Sequence, residues 1–257
     1  PPGWRVRGTL DASATLSGTR DAPRWAGMLG ADPVITTATD VNGLAALDVL
    51  ACALDADMDD MRGAVKTVNQ MLVSQKRVGL WWDDELTQDV SHCDRRGFIT
   101  VTDLNQLPEL DALVCITLRT NLPELPVPHW KLVPQRVVAG IGCRRDTPFP
   151  LLAALLARQL EAQQLDPLAL KAIGSITLKK DEQGLIQLAS CCRVPFETFT
   201  ADALREHEHR FPASSFVRKT VGTGSVSGPA AWLLSHGKLL GETLREQGVT
   251  ITLGVSH

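Results

Sequence analysis

VVAGIGCRRDTP, residues 137–148, runs an apolar stretch, Val137-Val138-Ala139, into Gly140-Ile141-Gly142 and then into Cys143-Arg144-Arg145. Asp146-Thr147-Pro148 follows and predicts a helix from 148 to about 164, with Leu152, Leu155, Leu156 and Leu160 inward. Asp146 or Thr147 is its expected cap and Pro148 its first residue. The pattern is a strand–glycine–arginine–helix corner. Glycines let a backbone approach a ligand, and the free N–H groups of a helix start attract anions. A dinucleotide fingerprint fails here because its third glycine position is Arg145. A phosphate loop fails because no G-K-[ST] follows.

A second corner of the same kind, 222–230, runs Gly222-Thr223-Gly224-Ser225-Val226-Ser227-Gly228-Pro229 into another helix. A tight turn without a ligand explains either corner alone. Two corners and an arginine pair favour a ligand site.

Outward from these corners, strands alternate with helices, which predicts an α/β class of layered sheets with flanking helices. Pro33–Thr39, Val78–Trp82, Phe98–Val101 and Ala112–Leu118 read as strands, the last apolar enough to be central. One helix, capped by Asp40 or Asn42, carries Leu44, Leu47, Val49, Leu50 and Leu54. A second, about 58–74, turns Met61, Val65, Val68, Met71 and Leu72 to one face. Segment 121–135, NLPELPVPHWKLVPQ, holds four prolines and reads as an extended linker. Beyond it lie Ile173–Leu178, a helix with Leu185, Leu188, Ala189 and Cys192, then strands at 194–199, 217–221 and 249–253.

Composition narrows the functional classes. At 257 residues the chain has room for two cores. A net charge of -3 supplies no basic excess for nucleic acid. No apolar run approaches the roughly 18 residues of a membrane span. Six cysteines without C-x-x-C spacing, mostly within apolar runs, suit reduced thiols and a cytoplasmic setting. Residues 1–24 show no period and are expected to be poorly ordered.

Arg144, Arg145, Lys179, Lys180, Arg218 and Lys219 fall at or beside predicted strand ends. They read either as a solvated surface or as a cradle for a ligand with several carboxylates, which arginine forks bind bidentately. His207-Glu208-His209 spaces its histidines to opposite faces of a helix, so no metal site is expected. Ser225 lacks a glycine two residues before it and is out of phase for a nucleophile elbow. Trp81, Trp82 and Trp232 read as core or interface.

The segments GADPVITTATDVNGLAALD (30–48), AVKTVNQMLVSQKRVGLWWD (64–83), VVAGIGCRRDTP (137–148), IGSITLKKDEQGLIQLA (173–189) and VGTGSVSGPAA (221–231) together resemble the cobalt-precorrin-5A hydrolase family of anaerobic cobalamin biosynthesis. The resemblance runs from about 26 to 257. It implies a three-part α/β architecture: a remnant of an N-terminal domain at 25–56, a middle domain at 57–120, the linker, and a C-terminal α/β domain at 136–257. That last part resembles a small stand-alone protein of the aerobic pathway.

The implied substrate is a cobalt-corrinoid whose ring-A δ-lactone is opened, C20 leaving with its methyl as acetaldehyde to give cobalt-precorrin-5B. The cobalt travels with the substrate, so no cofactor and no protein metal site is implied. Neighbouring enzymes of the pathway are candidate partners, and a homo-oligomer is left open. The substrate's acetates and propionates suit a cationic corner, so Gly140, Gly142, Arg144, Arg145, Lys179, Lys180, Gly222, Gly224 and Ser225 are the expected substrate-binding residues. The resemblance supplies no catalytic residue. Hydrolysis needs a base and oxyanion donors, for which Asp146, Glu182 and Ser225, and the N–H groups around 140–146 or 222–226, are the candidates. A non-catalytic corrinoid carrier is the rival reading, and a nucleotide enzyme is disfavoured by Arg145.

Family members carry roughly another domain ahead of the 30–48 segment, with a glycine-rich SGH-x-GGAN-like loop that residues 1–24 do not match. A shifted reading frame or a truncated gene is the expected origin of that difference, and it leaves the activity of the chain open.

Overall fold

The computed structural model describes residues 43–211 and 225–256. The readings at 1–24, 33–39 and 217–224 lie outside them. The chain divides into two units, residues 1–117 with 123–134, and residues 118–122 with 135–257.

In the first unit a five-stranded sheet has the order β1-β5-β4-β2-β3. β2 (Val78–Trp82), β3 (Ile99–Thr100), β4 (Ala112–Ile116) and β5 (His129–Pro134) are parallel to their neighbours, and β1 (Ala56–Asp57) is antiparallel to β5. Every residue of β4 is buried, as its unbroken apolar run requires of a central strand. β5 corrects the reading of 121–135 as linker throughout. Pro128 and Pro134 bound a stretch without proline, and the donors of that stretch are free to pair with two neighbours.

Helix α1 (Leu47–Ala53) buries Leu47, Leu50 and Ala51, while Val49 is 53% exposed. Its N-cap position is Ala46, whereas the expected caps Asp40 and Asn42 lie outside the described residues. The missing acceptor comes from α2 (Met61–Val73): Leu47 N–H donates to Asn69 Oδ1 at 2.8 Å. Within α2, Val65, Val68 and Leu72 are buried as expected, joined by Ala64, whereas Met61 and Met71 stay half-buried. Asp60 caps α2 by accepting from Gly63 N–H at 3.0 Å. A short α3 (Thr87–Ser91) links β2 to β3.

In the second unit the order is β8-β7-β6-β10-β9. β6 (Val137–Cys143), β7 (Leu170–Ile176) and β8 (Phe196–Phe199) are parallel. They are joined by α4 (Phe149–Ala162) and α5 (Gln183–Cys192), two crossover helices that pack on one another. After α6 (Ala201–His207) comes α7 (Ser227–Leu234). β9 (Leu239–Glu246) and β10 (Val249–Val255) then form a hairpin that adds antiparallel to β6. β9 has no counterpart in the sequence reading. Its mixed Leu239–Glu246 pattern is that of a half-exposed edge interrupted by a register shift opposite Thr252.

Gly140 and Gly142 are strand residues of β6, which corrects their reading as a ligand turn. A Cβ on Gly140 would collide with Ser227 O and lie 2.5 Å from Ala231 N. The glycine is what lets α7 lie directly on the sheet. Alternate residues Ala139 and Ile141 turn to the other face and are fully buried.

Candidate functional site

The parallel strands β6, β7 and β8 all end at one edge of the C-terminal unit, the edge at which open α/β sheets hold ligands. Three segments meet there. Turn 144–148 leaves β6, turn 177–182 leaves β7, and residues 225–227 lead into α7. A Cβ on Gly142 would lie 3.4 Å from Val226 Cβ and 3.8 Å from Ser227 N, so the described part of the second corner sits over the end of the first. Gly184, in the first turn of α5, is packed against Thr147 O, and a Cβ there would lie 3.0 Å from Leu152 Cδ1. The starts of α4 and α5 are thereby held together.

Within turn 144–148 the backbone is fixed while the charges face solvent. Thr147 Oγ1 donates to Arg144 O at 2.7 Å, and Asp146 adopts a left-handed φ of 57°. The Thr147 hydroxyl is thus committed to the turn, and the N-cap position of α4 is Pro148, which corrects the expected cap. Arg144 and Arg145 are exposed, with Arg144 lying across Gly248 of the β9–β10 turn. Lys180 is exposed too. Among the described residues none of these three cations has a carboxylate partner.

Lys179 differs. Its ammonium donates to Glu182 Oε2 at 2.7 Å, with 13% and 8% of the two side chains exposed. Both groups reach the Cys143 thiol electrostatically. Burial pushes that thiol up, Lys179 opposes the shift, and Glu182 adds to it. Lys179 is therefore already neutralised, and the free positive charge of the edge belongs to Arg144, Arg145 and Lys180.

Of the other expected residues, Ser225 is buried ahead of α7, and Asp146 is exposed in its turn. Gly222 and Gly224, with Arg218 and Lys219, lie outside the described residues. Gly140 is paired with Thr252 on one side and Gly174 on the other, so its backbone belongs to the sheet. Where that β6–β7 pairing stops, Ser175 Oγ donates to Ile141 O at 2.7 Å. The oxyanion donors expected around 140–146 narrow to the turn. His207 ends α6, with its ring 6.2 Å from that of Trp232, and Arg210 stacks on the same indole at 4.4 Å.

The N-terminal unit holds a polar pair that the sequence reading missed. Its strand order reverses between β2 and β4, and Asp83 and Thr117 follow those two strands directly. Thr117, fully buried, donates its hydroxyl to Asp83 Oδ2, and Asp83 N–H donates to Ile116 O at 3.1 Å. Burial, with the Asp83 charge nearby, pushes the Cys115 thiol up to about 12. The only signal in the sequence was position: a polar residue directly after each apolar run.

Fold and edge define a two-unit α/β protein with exposed cations at the strand ends of its C-terminal unit. The family described as the cobalamin synthesis G C-terminus matches residues 137–254, and the cobalamin biosynthesis central region matches residues 45–133. The chain belongs to this cobalamin synthesis G family.

Among its relatives, the cobalt-precorrin-5A hydrolase of Salmonella typhimurium strain LT2 is 81% identical over 232 residues, 90% of this chain and 66% of that protein. The cobalt-precorrin-5A hydrolase of Priestia megaterium is 26% identical over 240 residues, 90% of this chain and 63% of that protein. The chain thus spans just under two thirds of the length of either relative. The crystal structure of CobE, a protein from the cobalamin (vitamin B12) biosynthetic pathway, is similar over 47% of this chain and 90% of its own, with 33% identity and a TM-score of 0.44.

Proposed function

We propose that the protein is a cobalt-precorrin-5A hydrolase of anaerobic cobalamin biosynthesis. It opens the ring-A δ-lactone and releases C20 with its methyl as acetaldehyde, giving cobalt-precorrin-5B. The observation that carries this reading is the 81% identity to a hydrolase of that name across 90% of the chain.

The chemistry of the edge agrees with it. A corrinoid at this stage carries acetate and propionate carboxylates, and Arg144, Arg145 and Lys180 are the exposed cations beside the strand ends. In the reaction a base takes a proton from water, the oxygen adds to the lactone carbonyl, and donors stabilise the oxyanion until the ring C–O bond breaks. Cobalt enters with the substrate and no resident cofactor is required. The setting proposed is the cytoplasm, with neighbouring enzymes of the pathway supplying and removing the corrinoid.

Incubating the chain with cobalt-precorrin-5A and measuring acetaldehyde tests the reading. Release at catalytic turnover supports it, while binding without release replaces it with a corrinoid carrier. In the same assay Arg144→Ala with Arg145→Ala is expected to weaken corrinoid binding roughly tenfold to a hundredfold, the scale of lost charge-assisted hydrogen bonds. Unchanged affinity removes the arginines from the site.

A further inference from the structure

Three groups at the edge of the C-terminal unit could act on water: Asp146, Ser225 and Glu182. They differ in how they are held. Asp146 is exposed on a left-handed residue, and among the described residues its carboxylate has no hydrogen-bond donor to orient it. Ser225, buried ahead of α7, carries a hydroxyl, which by its chemistry is a nucleophile rather than a base. Glu182 is sheltered, 8% exposed, and one of its oxygens is fixed by the Lys179 ammonium at 2.7 Å.

A sheltered ion pair is weak evidence for stability, because desolvating two charges offsets most of their attraction and an apolar pair would pack as well. Here the pair also stands where strands β6 and β7 end, close enough to Cys143 for both charges to act on its thiol. The Lys179 bond occupies Oε2, and no donor among the described residues occupies Oε1. A carboxylate oriented by one oxygen and open at the other is the arrangement a general base needs.

We propose that Glu182 is the base of the lactone hydrolysis and that Lys179 is its positioning residue. The inference rests on the hydrolase reading above. Glu182 Oε1 takes one proton from a water molecule as that water's oxygen bonds to the lactone carbonyl carbon. When the tetrahedral intermediate collapses, the ring C–O bond breaks, its electron pair stays on the leaving oxygen, and Glu182 returns the proton there. One water is consumed, and the products are a carboxyl group and a hydroxyl. Lys179 neutralises Glu182, so Arg144, Arg145 and Lys180 are left to hold the carboxylates of the substrate.

The test uses the full chain with cobalt-precorrin-5A, following acetaldehyde release and, separately, corrinoid binding by the change in its visible absorption. Glu182→Gln keeps the shape and the contact to Lys179. It is expected to lower kcat about 10²–10⁴-fold, the usual share of general base catalysis, with binding within about threefold of the unsubstituted chain. Glu182→Ala is expected to recover part of that rate when formate is added, which a merely structural role would not allow. Lys179→Met is expected to lower kcat less than Glu182→Gln does. Turnover by Glu182→Gln within a few-fold of the unsubstituted chain, or a loss that formate does not recover, overturns the assignment. Absence of turnover by the unsubstituted chain itself overturns the hydrolase reading and this inference with it.

Discussion

A single hydrogen at Gly140 sets the distance between a helix and a sheet. The missing methyl group would occupy the space of Ser227 O, so α7 rests on β6 at a separation no other residue permits. Gly140→Ala is therefore expected to destabilise the C-terminal unit by about 1–3 kcal/mol, the cost of overpacking a core that cannot move aside. Urea unfolding of the variant measures it, and a midpoint equal to that of the unsubstituted chain contradicts the packing role. Arg144 and Arg145 teach a complementary lesson. As residue types their chemistry was legible, since unpaired guanidinium groups after a strand suit carboxylates. The same reasoning placed Lys179 with them, and sequence spacing does not reveal that Glu182 already holds it.

Elements depended on neighbours more than on their own sequence. Helix α1 has Ala46, without a capping side chain, at its N-cap position, and its first residue Leu47 borrows an acceptor from Asn69 of α2, 22 residues away. The same Asn69 donates through Nδ2 to Asp48 Oδ1 at 3.0 Å, so one amide secures both a backbone and a side-chain group of α1. Asn69→Ala is expected to lower the stability of the N-terminal unit by about 1 kcal/mol, the usual cost of a lost cap. A thermal midpoint unmoved by that change would make the contact incidental. β5 shows the same dependence. Its prolines signalled an extended chain, but pairing with both β1 and β4 is a property of those partners. β2 and β4 needed no such help, because each is a short apolar run, buried throughout in β4 and over its first three residues in β2.

Over the whole molecule the described ion pairs with shifted carboxylates lie at the surface, and their pH dependence has one sign. Asp94, held by hydrogen bonds from the Arg96 guanidinium, is lowered to about 2. Asp111 is lowered by the Arg77 backbone N–H and by Lys76, and Glu246 by Arg158 and Gln247. A carboxyl group depressed in the folded state contributes stability above its unfolded value and loses it as pH falls through the folded one. Stability is thus expected to decline as pH falls from just above 4 toward about 2. The decline should be modest, because such exposed pairs are screened by water and salt. Thermal unfolding across that range, in low salt and in about 0.5 M NaCl, checks this, and a decline unchanged by salt would point away from these pairs. The chain also passes between its units more than once. Residues 118–122 belong with the second unit, where Thr120 N–H donates to Gln164 O at 2.9 Å and Asp166 N–H to Leu118 O at 2.8 Å.

The sequence by itself determined the α/β class, the two central strands, the inward faces of α2 and α4, and the cationic character of the corner at 144–145. Each follows from short-range periodicity or residue chemistry, which a linear reading contains. Only the tertiary structure decided that Gly140 and Gly142 belong to a strand beneath α7, that Asp83 meets Thr117 across the reversal of strand order, and that Lys179 answers to Glu182 rather than to solvent. Two of these depend on groups brought together from distant parts of the chain, and the third on how one turn folds back on itself. Neither kind of contact has a period to read.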